Sequence, residues 1–307
     1  MADTSQTQLA YITETTYGTT PSTPAFTNVR YTSESLKAAR QNVQSEEIRR
    51  DRNVPDLIQV GGNAAGGVNF ELSYGAFDDF IESALFSAWS SDVIKNGVDQ
   101  TSFTLEKIFE NGATDQHFIF TGAVVNSMSL NIQAQQQVAG SFEFLCKSGS
   151  MTETAITGST YTDAPTNDAM NAATDFASLS VTGATAPAIT GLTLEISNNL
   201  RQKPVVGSLD SYGIGAGQCV VTGTITAYFE NSDLMEQFLA GTATDLSFSI
   251  GGATENKYDI VIPRLKFSDG DVPTGGNNQD VIQTLQFTAL YDPTEECAIK
   301  ITRTPAA

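Results

Sequence analysis

The chain presents one succession of elements twice. In the second half, residues 191–197 alternate apolar and polar side chains, and the loop 198–217 follows. A strand-like stretch at 220–228 comes after a glycine-rich break, then a short helix at 233–239. Three strand-like segments at 246–250, 258–267 and 281–290 close the set. The first half runs in the same order. A strand-like 29–32 leads into a long excursion, the glycine-rich break 61–67, and the alternating 68–72. A helix at 77–85 carries its apolar residues at 77, 80, 81, 84 and 85, the spacing of one buried face. Segments at 103–108, 117–131 and 138–145 complete it. Gly67 and Gly223 take matching places, as do Leu85 and Leu239 approximately. Each half is about 115 residues, enough for one sandwich core. The repeat therefore predicts a mainly β protein of two tandem β-sandwich or partly open barrel domains, each with a short flanking α-helix.

The segments between the periodic stretches set the expected boundaries. Residues 1–30 are rich in Thr and Pro and read as an extended arm with one possible short strand at its start. The apolar Leu9, Tyr11, Ile12 and Tyr17 suggest that this arm docks on another surface, with Tyr11 and Tyr17 as anchors. The first domain is expected at 31–146. Residues 147–180 are Ser, Thr, Ala and Gly with few large apolar side chains, the composition of a linker or surface loop. The second domain is expected at 181–307.

Residues 30–52 hold six of the sixteen basic residues, with Glu34, Glu46, Glu47 and Asp51 among them. A mixed-charge, weakly apolar excursion between strands reads as a long loop or protruding hairpin. A polar docking surface that fixes the register of a neighbouring subunit needs such residues. Glu46, Glu47, Arg49, Arg50, Asp51 and Arg52 are the candidate interaction residues.

Charge excludes a class of partner. Lys and Arg number 16 against 35 Asp and Glu, a net charge of −19. Such a surface repels polyphosphate, so tight or sequence-specific nucleic-acid binding is not expected. Chemistry is sparse as well. Cys146, Cys219 and Cys297 are widely spaced, without a CxxC pair, and read as free buried thiols of a protein made in a reducing compartment. His117 stands alone in an alternating segment, so a structural role is expected. The Gly213-x-Gly215-x-Gly217 run precedes a strand instead of opening a helix, which fails the context of a dinucleotide loop. The acidic stretch from Asp269 to Asp280 lacks EF-hand spacing. Asp78 and Asp79 suit the first turn of the helix, where the dipole favours them. No catalytic residue, metal or cofactor is expected. The N-terminus is polar and no run of about 18 apolar residues occurs, so neither a signal peptide nor a membrane helix is expected.

Several stretches, taken in order, resemble the tail-tube proteins of long-tailed bacteriophages. They are the pattern from Tyr11 to Pro21, the run from Ser45 to Arg52 followed by a glycine-rich turn, and Gly67 with Glu71-Leu72. The helix start Phe77-Asp78-Asp79-Phe80, Val221-Thr222-Gly223, Phe267 to Pro273 and Leu290-Tyr291-Asp292 continue the likeness. The resemblance implies a structural virion protein without enzymatic activity, made in the host cytoplasm. It would polymerise into stacked rings that conduct DNA. Its partners would be itself, a tape-measure protein, and tail-terminator and baseplate proteins. If the repeat is real, three copies would close a pseudo-hexameric ring; otherwise six would. DNA would pass the lumen without specific binding. The competing reading from the residues is a carbohydrate- or receptor-binding β-sandwich, an adhesin or tail-fibre module, which would expect exposed aromatic platforms, whereas this chain has a single Trp, Trp89.

Overall fold

The computed structural model describes residues 3–112 and 114–306, apart from the side chain of Ser178. After a 3-10 turn at Thr4–Gln6 come β1 (Thr7–Thr13), β2 (Ala25–Asn28) and β3 (Ser33–Glu34). β4 (Lys37–Gln44) turns back into the long β5 (Leu57–Glu71), and α1 (Asp78–Leu85) and β6 (Val93–Lys95) follow. Next are β7 (Phe103–Phe109), β8 (Gln116–Gln133), β9 (Ala139–Cys146), β10 (Ser148–Thr152) and β11 (Thr160–Thr162). The second half holds β12 (Phe176–Val181), β13 (Ile189–Ser197), β14 (Arg201–Lys203), β15 (Gly213–Gly215), β16 (Val220–Tyr228) and α2 (Asp233–Ala240). It ends with β17 (Thr244–Gly251), β18 (Lys257–Asp271), β19 (Ile282–Ala289) and β20 (Lys300–Thr304). The protein is mainly β, and its sheets do not close into a barrel.

Strand β8 organises the first half. Residues 117–123 pair with β7 and β10, and residues 124–133 pair with β9 and β13, so one strand serves two sheets. The crossing sits at Gly122, whose φ of +61° is left-handed. A Cβ there would lie 2.7 Å from the Lys147 side chain and 3.0 Å from the Tyr17 ring, so only glycine fits this bend. Strand β18 repeats the device. Its first part pairs with β17 and β20, and residues 265–271 pair with β19.

The pairing lists match element for element. β5 pairs with β9, β9 with β8, β8 with β7, and β7 with β1; likewise β16 with β19, β19 with β18, β18 with β17, and β17 with β12. β10 corresponds to β20. The pair β3 and β4 on β5 corresponds to β13 on β16. Setting Asp78 on Asp233, the first residues of the two helices, makes Val68 equivalent to Gly223 and their partners Phe142 and Phe287 equivalent to each other. The Gly67–Gly223 match read from the sequence is therefore one residue out: both glycines lie in strands, Gly67 opposite Glu143 and Gly223 opposite Phe287.

The repeats are not separate bodies. β13 runs antiparallel along β8 from Ser197↔Ser127 to Gly191↔Gln133, joining both repeats in one sheet. At the other end β20 pairs with β6, with Ile301 opposite Ile94. Arg303 seals that junction: its guanidinium lies 2.6 Å from Asp78 Oδ2 and 2.8 Å from Asp92 Oδ1, and its face covers the Trp89 ring at 4.7 Å. The buried hydrophobic core runs through both repeats.

Two expected segment assignments are corrected. The short strand allowed at the start of the N-terminal arm is present as residues 7–13, but it lies between β2 and β7 with Leu9, Ala10 and Tyr11 buried in the chain's own core, so this part is no arm docked elsewhere. Residues 147–180 are not plain linker: β10 adds to β8, β11 runs parallel to β2, and β12 begins within the segment and edges β17. Short strands of small polar residues are held by backbone ladders, which leave no hydrophobic period to read.

Candidate functional site

The sheet shared by the two repeats has one face on the core and one face free. Along β8, Met128, Leu130 and Ile132 point inward, so Ser127, Ser129, Asn131 and Gln133 point out. The same period puts Thr193, Glu195 and Ser197 outward on β13, Thr222, Thr224 and Thr226 on β16, and Ser141 and Glu143 on β9. Cross-strand registers set these in rows, such as Ser141–Ser129–Glu195–Thr222–Thr288. The outcome is a broad lining of hydroxyl and amide groups with few charges. It dips into a shallow depression over β8, β13, β16 and β19. Hydroxyls and amides on a sheet face stay hydrated and offer a polyanion neither a cationic anchor nor strong repulsion.

A second surface projects from the sheet. β4 and the start of β5 form an antiparallel hairpin, from Lys37↔Ala65 to Gln44↔Leu57, whose connection 45–56 holds Glu46, Glu47, Arg49, Arg50, Asp51 and Arg52. All six side chains are exposed. The Arg49 guanidinium grips Asp51 with two hydrogen bonds, of 3.0 and 3.2 Å, and holds that carboxyl below the usual carboxylate range. Arg52 takes a left-handed φ of +61° at the turn. The structure thus places these six together at one tip, as the charge pattern predicted, without showing what they touch.

Sequence reasoning missed the apolar half of this surface. Val43, Val54, Leu57, Ile58 and Val60 are exposed, and Ile48 is 98% exposed. Beside them the β14–β15 hairpin exposes Val205, Leu209, Tyr212 and Val206, the last fully. The two hairpins touch where the Gly62 N–H donates to the Leu209 carbonyl (2.8 Å) and Gln202 Nε2 donates to Asn63 Oδ1 (3.0 Å). A cluster of exposed aliphatic side chains on projecting strands marks an interaction surface. Alternation alone hid it, since a half-apolar strand reads as half-buried.

The remaining expected residues fall elsewhere. Tyr11 is buried; its ring packs on Phe80 and Phe103 (centroids 4.6 and 5.7 Å) and its hydroxyl donates to Asp79 Oδ2 (2.8 Å). Tyr17 is half-buried against Gly122, with the Lys147 ammonium 5.6 Å above its ring. Both anchor the N-terminal segment inside its own subunit, which corrects the expectation of anchors on another surface. His117 is buried with Nδ1 2.8 Å from Glu106 Oε1, whose other oxygen accepts from Tyr161 (2.8 Å). Burial pushes the Cys146 thiol up and raises Cys219 and Cys297 too, so none of the three is poised as a thiolate.

Tyrosine titration checks these placements. Burial pushes Tyr17 and Tyr161 up to about 12, and raises Tyr11 and Tyr258 further, since both hydroxyls also lie against helix α1 carboxylates. The unfolded chain ionises its tyrosines near pH 10 while the folded chain holds these protons. Stability is therefore full below pH 10 and falls as pH rises above it. Absorbance titration is expected to show part of the nine tyrosines ionising only as the fold is lost.

A comparison with curated proteins gives no match. A family model described as phage tail tube protein matches residues 4–289, nearly the whole of both repeats. The two-repeat β fold, its shared polar sheet face and this match lead to one conclusion: the chain belongs to the phage tail tube protein family.

Proposed function

We propose that this chain polymerises into stacked rings whose bore conducts DNA during ejection, and that three copies, hence six repeats, make each ring. As a tail tube protein it is a structural component of the virion. Among the described residues no helix is long and apolar enough to cross a membrane. The observation that carries the proposal is the sheet that passes without a break from one repeat to the other, with its free face lined by Ser, Thr, Asn and Gln. A bore lined this way lets a polyanion slide, because β8, β9, β13, β16 and β19 carry no Lys or Arg that would release counterions and bind phosphate, and Lys37 and Lys266 stand only at the margins of the face. Glu143 and Glu195 are the carboxylates among the neutral polar groups of β8, β9, β13 and β16, and the net charge of −19 resides mainly elsewhere. Tape-measure protein would occupy the bore before ejection, with terminator and baseplate proteins at the tube's ends.

In this reading the hairpin tip docks on the adjacent ring. Glu46, Glu47, Arg49, Arg50, Asp51 and Arg52 supply the polar register, and Ile48 and Val54 the apolar contact. The double variant R49E/R50E should keep the wild-type fold by circular dichroism, since both side chains are exposed. It should fail to form tubes in negative-stain electron microscopy under conditions where the wild type does. Normal tubes from that variant would remove the docking role.

A further inference from the structure

The correspondence between repeats has an unfilled place. In the first repeat the outer edge of β8, residues 127–133, is covered by β13. In the second repeat the equivalent edge is that of β18 at 266–271. Residues 266–271 pair with β19 on one side, and among the described residues nothing pairs on the other. The element equivalent to β13 is β3 with β4, which among the described residues pairs with β5 alone. Each copy thus has one free edge of the kind β8 presents and one free strand of the kind that covers it.

Resting on the ring reading, we propose that the edge of β18 takes β3 and the start of β4 from the next copy, repeating the β8–β13 junction between chains. The register follows from equivalences already given. Leu36 corresponds to Ile196, since each lies opposite the matching residue of β5 or β16 (Gly66 and Val221) and both are buried. Phe267 corresponds to Met128 through their partners Phe287 and Phe142. Ile196 faces Met128 within the chain, so Leu36 of one copy faces Phe267 of the next. Ser197 faces Ser127, so Lys37 faces Lys266. Asp269, a step further along β18, falls opposite Ser35 and close enough diagonally to offset the facing ammonium groups. The junction removes two exposed sheet edges per chain, each a liability in a lone subunit. It also carries the polar face across the boundary, because the pleat keeps Ser197 and Lys37 on the same side.

Paired cysteines test it. In a Cys219→Ser background, Lys37→Cys and Lys266→Cys are combined, and Ser127→Cys with Ser197→Cys serves as the matched pair inside one chain. Tubes verified by electron microscopy are oxidised with copper phenanthroline and run on a non-reducing denaturing gel. The expected result is chains covalently linked to one another through 37 and 266, none linked in either single variant, and an intrachain bond in the matched pair. Tubes in which the matched pair closes while 37 and 266 keep free thiols would overturn the junction and leave the tube reading standing. A strand-resolution cryo-EM map of wild-type tubes reads the same point without any variant: Leu36 against Phe267 is expected, and any other strand on that edge of β18 overturns it. Failure of the wild type to form tubes at all would count against the ring reading instead.

Discussion

Replacing Glu14 with alanine is expected to lower stability by at least about 3 kcal/mol, more than any surface change in the chain. Glu14 lies at the end of β1, buried at 8% exposure. Its carboxylate accepts from Ser102 Oγ, Thr104 Oγ1 and the Gly122 N–H (2.8 Å each) and from the Gly18 N–H (2.7 Å). Those four donors belong to the turn after β1, to the start of β7, and to the bend where β8 changes sheets. One carboxylate therefore ties three segments together at the point on which the sandwich depends. Alanine leaves the donors unpaired, at about 1–3 kcal/mol for each that water cannot reach. A melting temperature lower by on the order of 5–10 °C is expected in calorimetry. Glu14→Gln should fall between, since its amide keeps one acceptor oxygen and its NH₂ can donate to a Ser102 or Thr104 hydroxyl, but that NH₂ also faces a backbone N–H that can only donate. An alanine variant within about 1 kcal/mol of wild type would show that the donors find other partners.

The second large effect is expected at Phe80. This residue of α1 is 1% exposed, and its ring meets Tyr11, Phe103, Phe142 and Phe144 at centroid distances of 4.6 to 5.4 Å. The helix sits there because Asp78 and Asp79 suit its first turn while Phe80, Ile81, Ala84 and Leu85 share one face. Phe80→Ala opens a cavity among rigid aromatic rings that cannot collapse into it, and should cost about 3–5 kcal/mol in urea unfolding. Ile48→Ala, at the exposed hairpin tip, should stay within about 0.5 kcal/mol in the same assay. The contrast separates residues that hold the subunit from residues available to hold the assembly.

What the sequence made legible follows from where periodicity lives. The alternating runs at 68–72, 191–197 and 220–228 and the apolar spacing of 77–85 announced themselves because each element buries one face. Order of elements then exposed the repeat although residue identity is low: Phe70 and Ile225 fill equivalent core positions with different side chains. β1 could be read only as a possible short strand, and its place in the core stayed hidden, because Leu9, Ala10 and Tyr11 are consecutive instead of alternating, inside a Thr- and Pro-rich stretch. The Glu14 of the family-like pattern gave no hint that it was buried, since burial of a carboxylate depends on donors supplied about 90 to 110 residues away. The junction between repeats was equally invisible. Nothing in 127–133 or 191–197 names its partner, because backbone ladders are indifferent to sequence once one face is apolar. At the candidate site the charged tip could be read from composition, and its aliphatic neighbours could not, since only the structure shows which apolar strand residues lack a cover.

In the proposed tube the shared sheet forms the inner wall. The most direct measurement is a cryo-EM reconstruction of tubes assembled from the purified chain. Six equivalent repeats from three chains are expected in each ring, with Ser129, Asn131, Thr193 and Thr224 facing the bore and the hairpin tip of residues 45–56 reaching the next ring. A wall that turns this face outward, or that buries it between subunits, would contradict this arrangement.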